Sequence, residues 1–557
     1  MKNNLRLILY VVAFGIAFIL WNKWQLANQP EPTATLTTTQ QSAAPAAASA
    51  SGEDAPIPGA ASGGVNAANN AGEVPQQQVS SNEVVTVQTD VLNVTFNLQG
   101  ATITRAELLE YPASKNSDQP LALMRTENPA RFIMQSGLAS SDSGAAPTHN
   151  ALFSAQQKTY TLSDGQDELR VPFQWVNEQG ITVTKTFIFQ RGKYEVGLEQ
   201  KVENGSDSAW QGYPYQQLDF GTAPPRGGIG QVYTFTGGVM STSDDRYRKI
   251  DLDDIRKSNT EVSSKDGWVA MIQHYFLGAL IPPEGNNSNF YTRYYNNNHI
   301  IGISGQNHSV APGEETLMES RLYIGPKIQS RLQEVAPALD KTVDYGFLFM
   351  IAQPMFYVLN FIHGIIGNWG WAIIVMTLLI KLMFFMPSAW AYKSMAKMRR
   401  LQPHMTRLKE RYGDDRQAMS QAMMKLYRDE KVNPASGCLP MLLQIPFFIA
   451  FYWVLVESVE LRQAPWMMWI QDLSAKDPLF ILPVLNASLM FLQQKLNPTP
   501  PDPLQAKIMM MLPLVFGFMF MWFPSGLVLY WTVSNAFSIV QQYIMNKRYG
   551  EPVKKKA

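Results

Sequence analysis

The sequence predicts a multi-domain protein. An α-helical polytopic membrane bundle of six transmembrane (TM) helices, five of them in a core, carries an antiparallel β-sandwich outside the membrane. Three observations predict it. First, charge is partitioned along the 557 residues. Positions 24–345 hold 22 Lys/Arg and 34 Asp/Glu, positions 346–557 hold 21 and 11, and positions 1–23 add three cations. An acidic stretch followed by a basic, apolar one is not a single soluble domain. Second, apolar and polar residues alternate in short runs from about 84 to 325, the period of half-buried strands. Third, several apolar runs beyond residue 369 approach the ~20 residues that cross a hydrocarbon core. The lone cysteine, Cys438, excludes an internal disulfide and a Cys-rich metal site. Neither GxxxxGK[ST] nor HExxH occurs, and no cofactor is expected.

Taken in order, Lys2 and Arg6 precede an apolar run at 7–21. Bulky Asn22-Lys23-Trp24-Gln25-Leu26 follows where a signal peptide needs small residues, so 1–24 read as an uncleaved TM anchor. The cations at its start place the chain downstream outside. Residues 25–82, rich in Ala, Thr, Gln, Ser, Pro, Asn and Gly, cannot bury a core and read as a flexible linker.

Residues 83–330 form the expected sandwich. Val85-Thr86-Val87-Gln88 alternates, as do the stretches 92–98, 181–189 and 195–202, with turn residues between them. His149, His274, His299 and His308 have no metal-ligand spacing. Asp244, Asp245, Asp251, Asp253 and Asp254 suggest calcium, but the interleaved Arg246, Arg248, Lys249 and Arg256 favour a solvated surface. Trp268 and Tyr275 are better read as aromatic core than as a sugar cleft.

Residues 331–368 are read as an amphipathic interfacial helix. The stretch 344–367 is long enough to span, yet Gln353, Tyr357, Asn360 and His363 fall on one helical face. Five core spans follow within 369–546, at 369–390, 439–456, 479–496, 508–523 and 527–545, the last two joined by Pro524-Ser525-Gly526. The positive-inside rule supports this count. Residues 391–437 carry eleven Lys/Arg against five Asp/Glu and fall in the cytoplasm after one crossing. The basic tail, 547–557, falls there too, so both termini are cytoplasmic. A crossing at 344–367 would reverse the sign of every later loop.

Lys381 lies inside an apolar run, roughly 18 Å along the helix from Trp369. A lysine at that depth costs about 2.5–3.5 kcal/mol unless water or an anion meets it. Two readings stand: it snorkels to the cytoplasmic interface, or it lines a wet, positive groove. Thr377 lies one turn earlier on its face. Gln444, Asn486, Ser488, Tyr530, Thr532, Ser534, Asn535 and Ser538 offer neutral polar groups on other spans, either as bundle hydrogen bonds or as groove lining. No acidic residue lies within the spans.

The cytoplasmic insert at 391–432 reads as a helical hairpin. Met395, Met398, Leu401, Met405, Leu408 and Tyr412 share one face, and Met419, Met423, Leu426 and Tyr427 continue on a second helix. Gly413-Asp414-Asp415 is expected to supply a glycine that ends the first helix and an N-cap for the second.

The segments GNWGWAIIVMTLLIK, YKSMAKMRRLQP, NPASGCLPMLLQIPFFIAFYWVLVESVELRQAPW and FPSGLVLYWTVSN resemble the YidC/Oxa/Alb family of membrane protein insertases, in its Gram-negative form. The resemblance extends over the anchor, linker and sandwich. It implies a bacterial inner-membrane location, a five-helix core, a periplasmic sandwich of galactose-mutarotase-like type, and a hydrophilic groove open to cytoplasm and lipid. It places Lys381, Thr377, Gln444, Tyr530 and Trp531 at groove positions; Ser534 joins them from the polar pattern. The family's groove cation is commonly arginine, which cannot lose its proton, so charge at Lys381 depends more on groove water. The position of Trp531 is often tyrosine.

The expected activity is ATP-independent insertion and folding of nascent membrane proteins, with no bond made or broken. Arg399, Arg400, Arg407, Lys409 and Arg411 are expected to meet ribosome and client. The resemblance also implies the partners SecYEG and SecDF. Membrane lipids are expected partners; DNA is not. A polytopic transporter is disfavoured because no inverted repeat is evident. A membrane-tethered periplasmic sugar-binding protein is disfavoured because five extra spans exceed what anchoring needs.

Overall fold

The structure is a computed structural model that describes residues 83–115, 117–142, 144–222, 234–413, 415–430, 439–497 and 503–549. The expected anchor (1–24), the linker (25–82), Cys438 and the tail beyond Tyr549 lie outside the described residues.

The acidic part folds as two facing sheets, of eleven and nine strands. The alternating stretches are strands: Val84–Gln88, Leu92–Asn97, Ile181–Gln190 and Glu195–Asn204. The last two alternate buried and half-exposed residues without a break, because one face meets the opposite sheet and the other meets water. Pairing is antiparallel except for Val84–Gln88, which also runs parallel to Thr159–Thr161. Phe96, Phe173, Phe187 and Phe189 fill the space between the sheets. Trp268 is buried and donates from its indole to the Pro337 carbonyl at 3.0 Å, so it is core. The acidic tract forms a short helix, α1 (Leu252–Lys257), with exposed Asp253–Arg256 and Asp254–Lys257 pairs.

One inward-facing position on Ile181–Gln190 is not apolar. Lys185 is 0% exposed. Its amine donates to the carbonyls of Gly100 at 2.8 Å and Ser136 at 2.6 Å, and to Ser136 Oγ at 3.2 Å. Gly100 can turn its carbonyl there because it holds φ +70° and a Cβ would strike the His149 backbone at 2.2 Å.

After the last strand, Glu315–Pro326, helix α2 (Gln329–Val335) leads towards α3 (Phe349–Ile366). The junction with the helical part is tight and dry. Lys327 and Glu457 form an ion pair at 2.7 Å, with 2% and 4% of their side chains exposed. The His274 ring bonds the Val456 carbonyl at 3.0 Å, and Arg462 donates to the Pro112 carbonyl at 2.9 Å. One continuous apolar cluster runs from Val85 to Tyr530 through this junction. The polar stripe of α3 is shared: Gln333 on α2 donates to the Tyr357 hydroxyl at 3.1 Å, while His363 stacks on Trp369 at 3.9 Å. Residues Gly346–Ile366 make the one continuous helix among the described residues that is long and apolar enough to cross a membrane.

The helical part continues with α4 (Trp369–Met383), α5 (Phe385–Tyr412), α6 (Arg416–Asp429), α7 (Leu439–Glu457), α8 (Ile481–Leu496), α9 (Pro503–Met519) and α10 (Ser525–Tyr549). The run 369–390, expected as one span, is broken: α4 and α5 meet at 64° around Phe384. Pro387 in the first turn of α5 has no N–H to carry the ladder across. Helices α5 and α6 form the expected hairpin, closed by Leu401, Met405, Met398, Met423, Leu426 and Tyr427. Asp415 caps α6, its carboxylate accepting from the Gln417 and Ala418 amides at 3.0 Å. Gly413 differs from expectation, keeping right-handed helical geometry rather than a left-handed cap.

Candidate functional site

Helices α4, α5, α7 and α10 converge on one polar cluster. Lys381 lies two residues before the end of α4, where the chain bends away. Its side chain turns into the bundle, and the residue is 7% exposed. The amine donates to Gln444 Oε1 on α7 at 3.2 Å and to Ser538 Oγ on α10 at 2.9 Å. Both partners belong to other helices of the bundle, so the amine is held between helices. Ser538 passes its proton to the Ser534 carbonyl at 2.8 Å. The Tyr392 phenol on α5 reaches Ser538 and Gln493. Among the described residues no carboxylate pairs with Lys381.

Apolar packing closes the cluster one to two turns along α7 and α10. Trp531 stacks on Phe448 at 4.4 Å and meets Phe520 edge-on at 4.1 Å. Tyr530 leans on Phe451 at 5.0 Å. The site thus has a polar layer beside the bend and an aromatic layer above it. A second polar seam follows α10: Asn535 donates to Asn486 Oδ1 at 2.8 Å, Gln542 to Asn497 Oδ1 at 2.8 Å, and Gln541 to the Phe385 carbonyl at 2.9 Å. That last bond serves the backbone at the α4–α5 break.

Sequence comparisons bear on what such a cluster belongs to. Residues 84–358 match the family model described as the YidC periplasmic domain, and residues 361–552 match the 60Kd inner membrane protein model. The membrane protein insertase YidC of Thioalkalivibrio sulfidiphilus is 44% identical over 99% of this chain and 100% of its own. That of Alkalilimnicola ehrlichii is 50% identical over 84% of each. The chain belongs to the YidC family of membrane protein insertases. Among solved structures, an active YidC insertase with its first transmembrane domain resolved covers 84% of this chain and 93% of its own, at 18% identity and TM-score 0.39. A galactose mutarotase related enzyme from Lactobacillus acidophilus covers 43% of this chain and 97% of its own, at 11% identity and TM-score 0.30.

For this YidC-family chain, Lys381, Gln444 and Ser534 of the expected groove residues meet in the polar layer. Thr377 does not join them. It is fully buried and its hydroxyl closes onto the Ile373 carbonyl of its own helix at 2.6 Å. Tyr530 and Trp531 belong to the aromatic layer instead. Arg399, Arg400, Arg407 and Arg411 lie exposed along α5. Lys409 lies on the same helix, but its side chain is outside the described residues. Five contributors, Tyr392, Gln493, Asn497, Gln541 and Gln542, were not singled out from the sequence. The spacing 534, 538, 541 carried a signal for Gln541, since these positions share one helical face. Tyr392 carried none, because it sits beyond the bend.

Proposed function

We propose that the chain inserts nascent membrane proteins into the inner membrane and assists their folding, receiving a client's polar segment at the cluster around Lys381. The observation that carries this reading is a buried amine held by neutral side chains alone. Gln444 and Ser538 orient the ammonium without cancelling its charge. An acidic segment entering from the cytoplasm supplies the missing counter-charge, and hydrogen-bonding partners lower its cost of leaving water. The client's apolar helix then moves into lipid, driven by hydrophobic transfer and the membrane potential. The aromatic layer lies beyond the cluster on the path of a segment entering from the cytoplasm, and closes the site on its outer side. No covalent bond changes, so this is a chaperone-like device rather than an enzyme.

Its placement in the membrane follows the charge pattern: six crossings including the N-terminal anchor, both termini and the α5–α6 hairpin in the cytoplasm, the sandwich in the periplasm, and α3 in the interface. The bond from Gln333 to the Tyr357 stripe supports the last. Arg399, Arg400, Arg407, Lys409 and Arg411 would greet ribosome and nascent chain. SecYEG and SecDF are the proposed partners in assisted insertion.

The test is reconstitution of the full chain in liposomes with one small client bearing an acidic translocated tail. Lys381→Arg is expected to keep insertion within about twofold, whereas Lys381→Glu lowers it at least ~10-fold, about 1.4 kcal/mol. Equal insertion by Lys381→Glu and the unaltered chain would remove the charge argument.

A further inference from the structure

The sandwich carries a cavity of about 670 Å³ on the outward face of its eleven-stranded sheet. That size suits a small oligomeric ligand. Its floor is built by cross-strand rows. Tyr291 stands opposite Glu261 on one side and Gly302 on the other. A Cβ at Gly302 would strike the Tyr291 ring at 2.5 Å, so the glycine lets that ring lie flat across the neighbouring strand. The phenol is committed along the same face, donating to Gln217 Oε1 two strands away at 3.0 Å. One row along, Asn289 stands opposite both Ser263 and Ser304 and accepts a hydrogen bond from the Ser263 hydroxyl. Tyr213, half-buried, forms a wall.

The chemistry of this lining selects a ligand class. None of its fourteen residues has an aliphatic side chain: it is hydroxyls, amides, two tyrosines and three charges. A peptide bound through apolar side chains would find nothing to fill. A strongly acidic ligand would find Arg293 already paired with Glu261 at 3.1 Å. Asn287, Gln306 and Asn307 have side-chain amides with no partner among the described residues. Each offers a donor and an acceptor side by side, the pattern that pairs with vicinal hydroxyls. An aromatic wall beside free amides fits the apolar C–H face and hydroxyl rim of a sugar ring.

We infer that this cavity is a carbohydrate-binding site for a neutral or weakly charged oligosaccharide. It is separate from the Lys381 cluster and does not rest on the insertion reading. The ligand's source is either an N-acetylated wall-type glycan or a plain hexose oligomer, and one experiment tells them apart. The full chain in detergent is titrated with chitotetraose and with maltotetraose, followed by saturation-transfer NMR. Saturable binding of either sugar is expected, with Kd on the order of 0.1–1 mM, and the sugar that binds identifies the source. Tyr213→Ala and Asn307→Ala are each expected to weaken it about tenfold or more, while liposome insertion stays unchanged. Asn307 is exposed, so its variant tests the site without disturbing the sheet. Failure of both sugars to bind below about 10 mM, or binding indifferent to both substitutions, overturns the assignment. Neither result bears on insertion, which the liposome assay reads separately.

Discussion

Two lysines among the described residues are buried without a carboxylate, one in each half, and they are held differently. In the sandwich, Lys185 reaches from the nine-stranded sheet to two backbone carbonyls of the other, Gly100 in a turn and Ser136 on strand Phe132–Ala139. In the helical part, Lys381 is fastened to two side chains, Gln444 and Ser538, on two helices. A backbone carbonyl fixed by its strand or turn has no rotor of its own, whereas a glutamine amide and a serine hydroxyl can rotate and can donate as well as accept. The first arrangement builds a cross-strut. The second leaves a cation that can change partners, as the proposed groove for passing clients requires.

The contrast is broken most directly by reversing the charge at each site. Lys185→Glu would face carbonyl lone pairs with a carboxylate and is expected to destabilise the sandwich by more than about 4 kcal/mol. Lys381→Glu finds donors in Gln444 and Ser538 and is expected to change stability by less than about 1 kcal/mol while insertion falls. Urea unfolding of the full chain in detergent reads both; equal destabilisation would abolish the distinction.

A smaller effect comes from pH. Burial pushes the Lys185 ammonium down to about 7 from its ordinary 10.5. Between those values the unfolded chain holds a proton that the folded chain lacks. Stability is therefore expected to fall as pH drops from 10 towards 7, by at most about 1.4 kcal/mol per unit, and to level off below 7. The site suits both forms. The ammonium serves three acceptors, while the neutral amine serves two and accepts from Ser136 Oγ. Lys185→Met should flatten the slope in urea midpoints measured across that range. A slope unchanged by the substitution would assign it elsewhere.

The smallest expected effect sharpens the helical side. Ser538→Ala removes one holder of Lys381 and leaves Gln444, so insertion should fall by a few-fold, about 1 kcal/mol. Ser488→Ala is the control, since its hydroxyl bonds only the Val484 carbonyl of its own helix at 2.8 Å. Equal losses would mean that the Ser538 contact orients nothing.

These contrasts show what the sequence exposed. The sandwich strands were legible because each has one wet and one dry face, which writes a period of two into Ile181 to Gln190. The same alternation runs through Lys185, yet its place on the dry face was not singled out. Lys381 was legible as a charge inside an apolar run. Gln444 and Ser538 were legible only as groove candidates, and Gly100 and Ser136 not at all, because these contacts form only through tertiary packing. The bend at Phe384 was hidden by an apolar run that continues through it, and Pro387 was its only local trace. Thr377 shared a helical face with Lys381, yet its hydroxyl found a closer acceptor in its own backbone. The cavity beside Tyr213 was invisible because its lining comes from distant strands and loops that meet on one face.

The dry junction at Lys327 and Glu457 has a mechanical consequence. Glu457 ends the same nineteen-residue helix that carries Gln444. With the Lys327–Glu457 pair buried at this junction, a tug on the outer half travels down that rod towards the amine it helps to hold. Domain and bundle then behave as handle and blade of one tool.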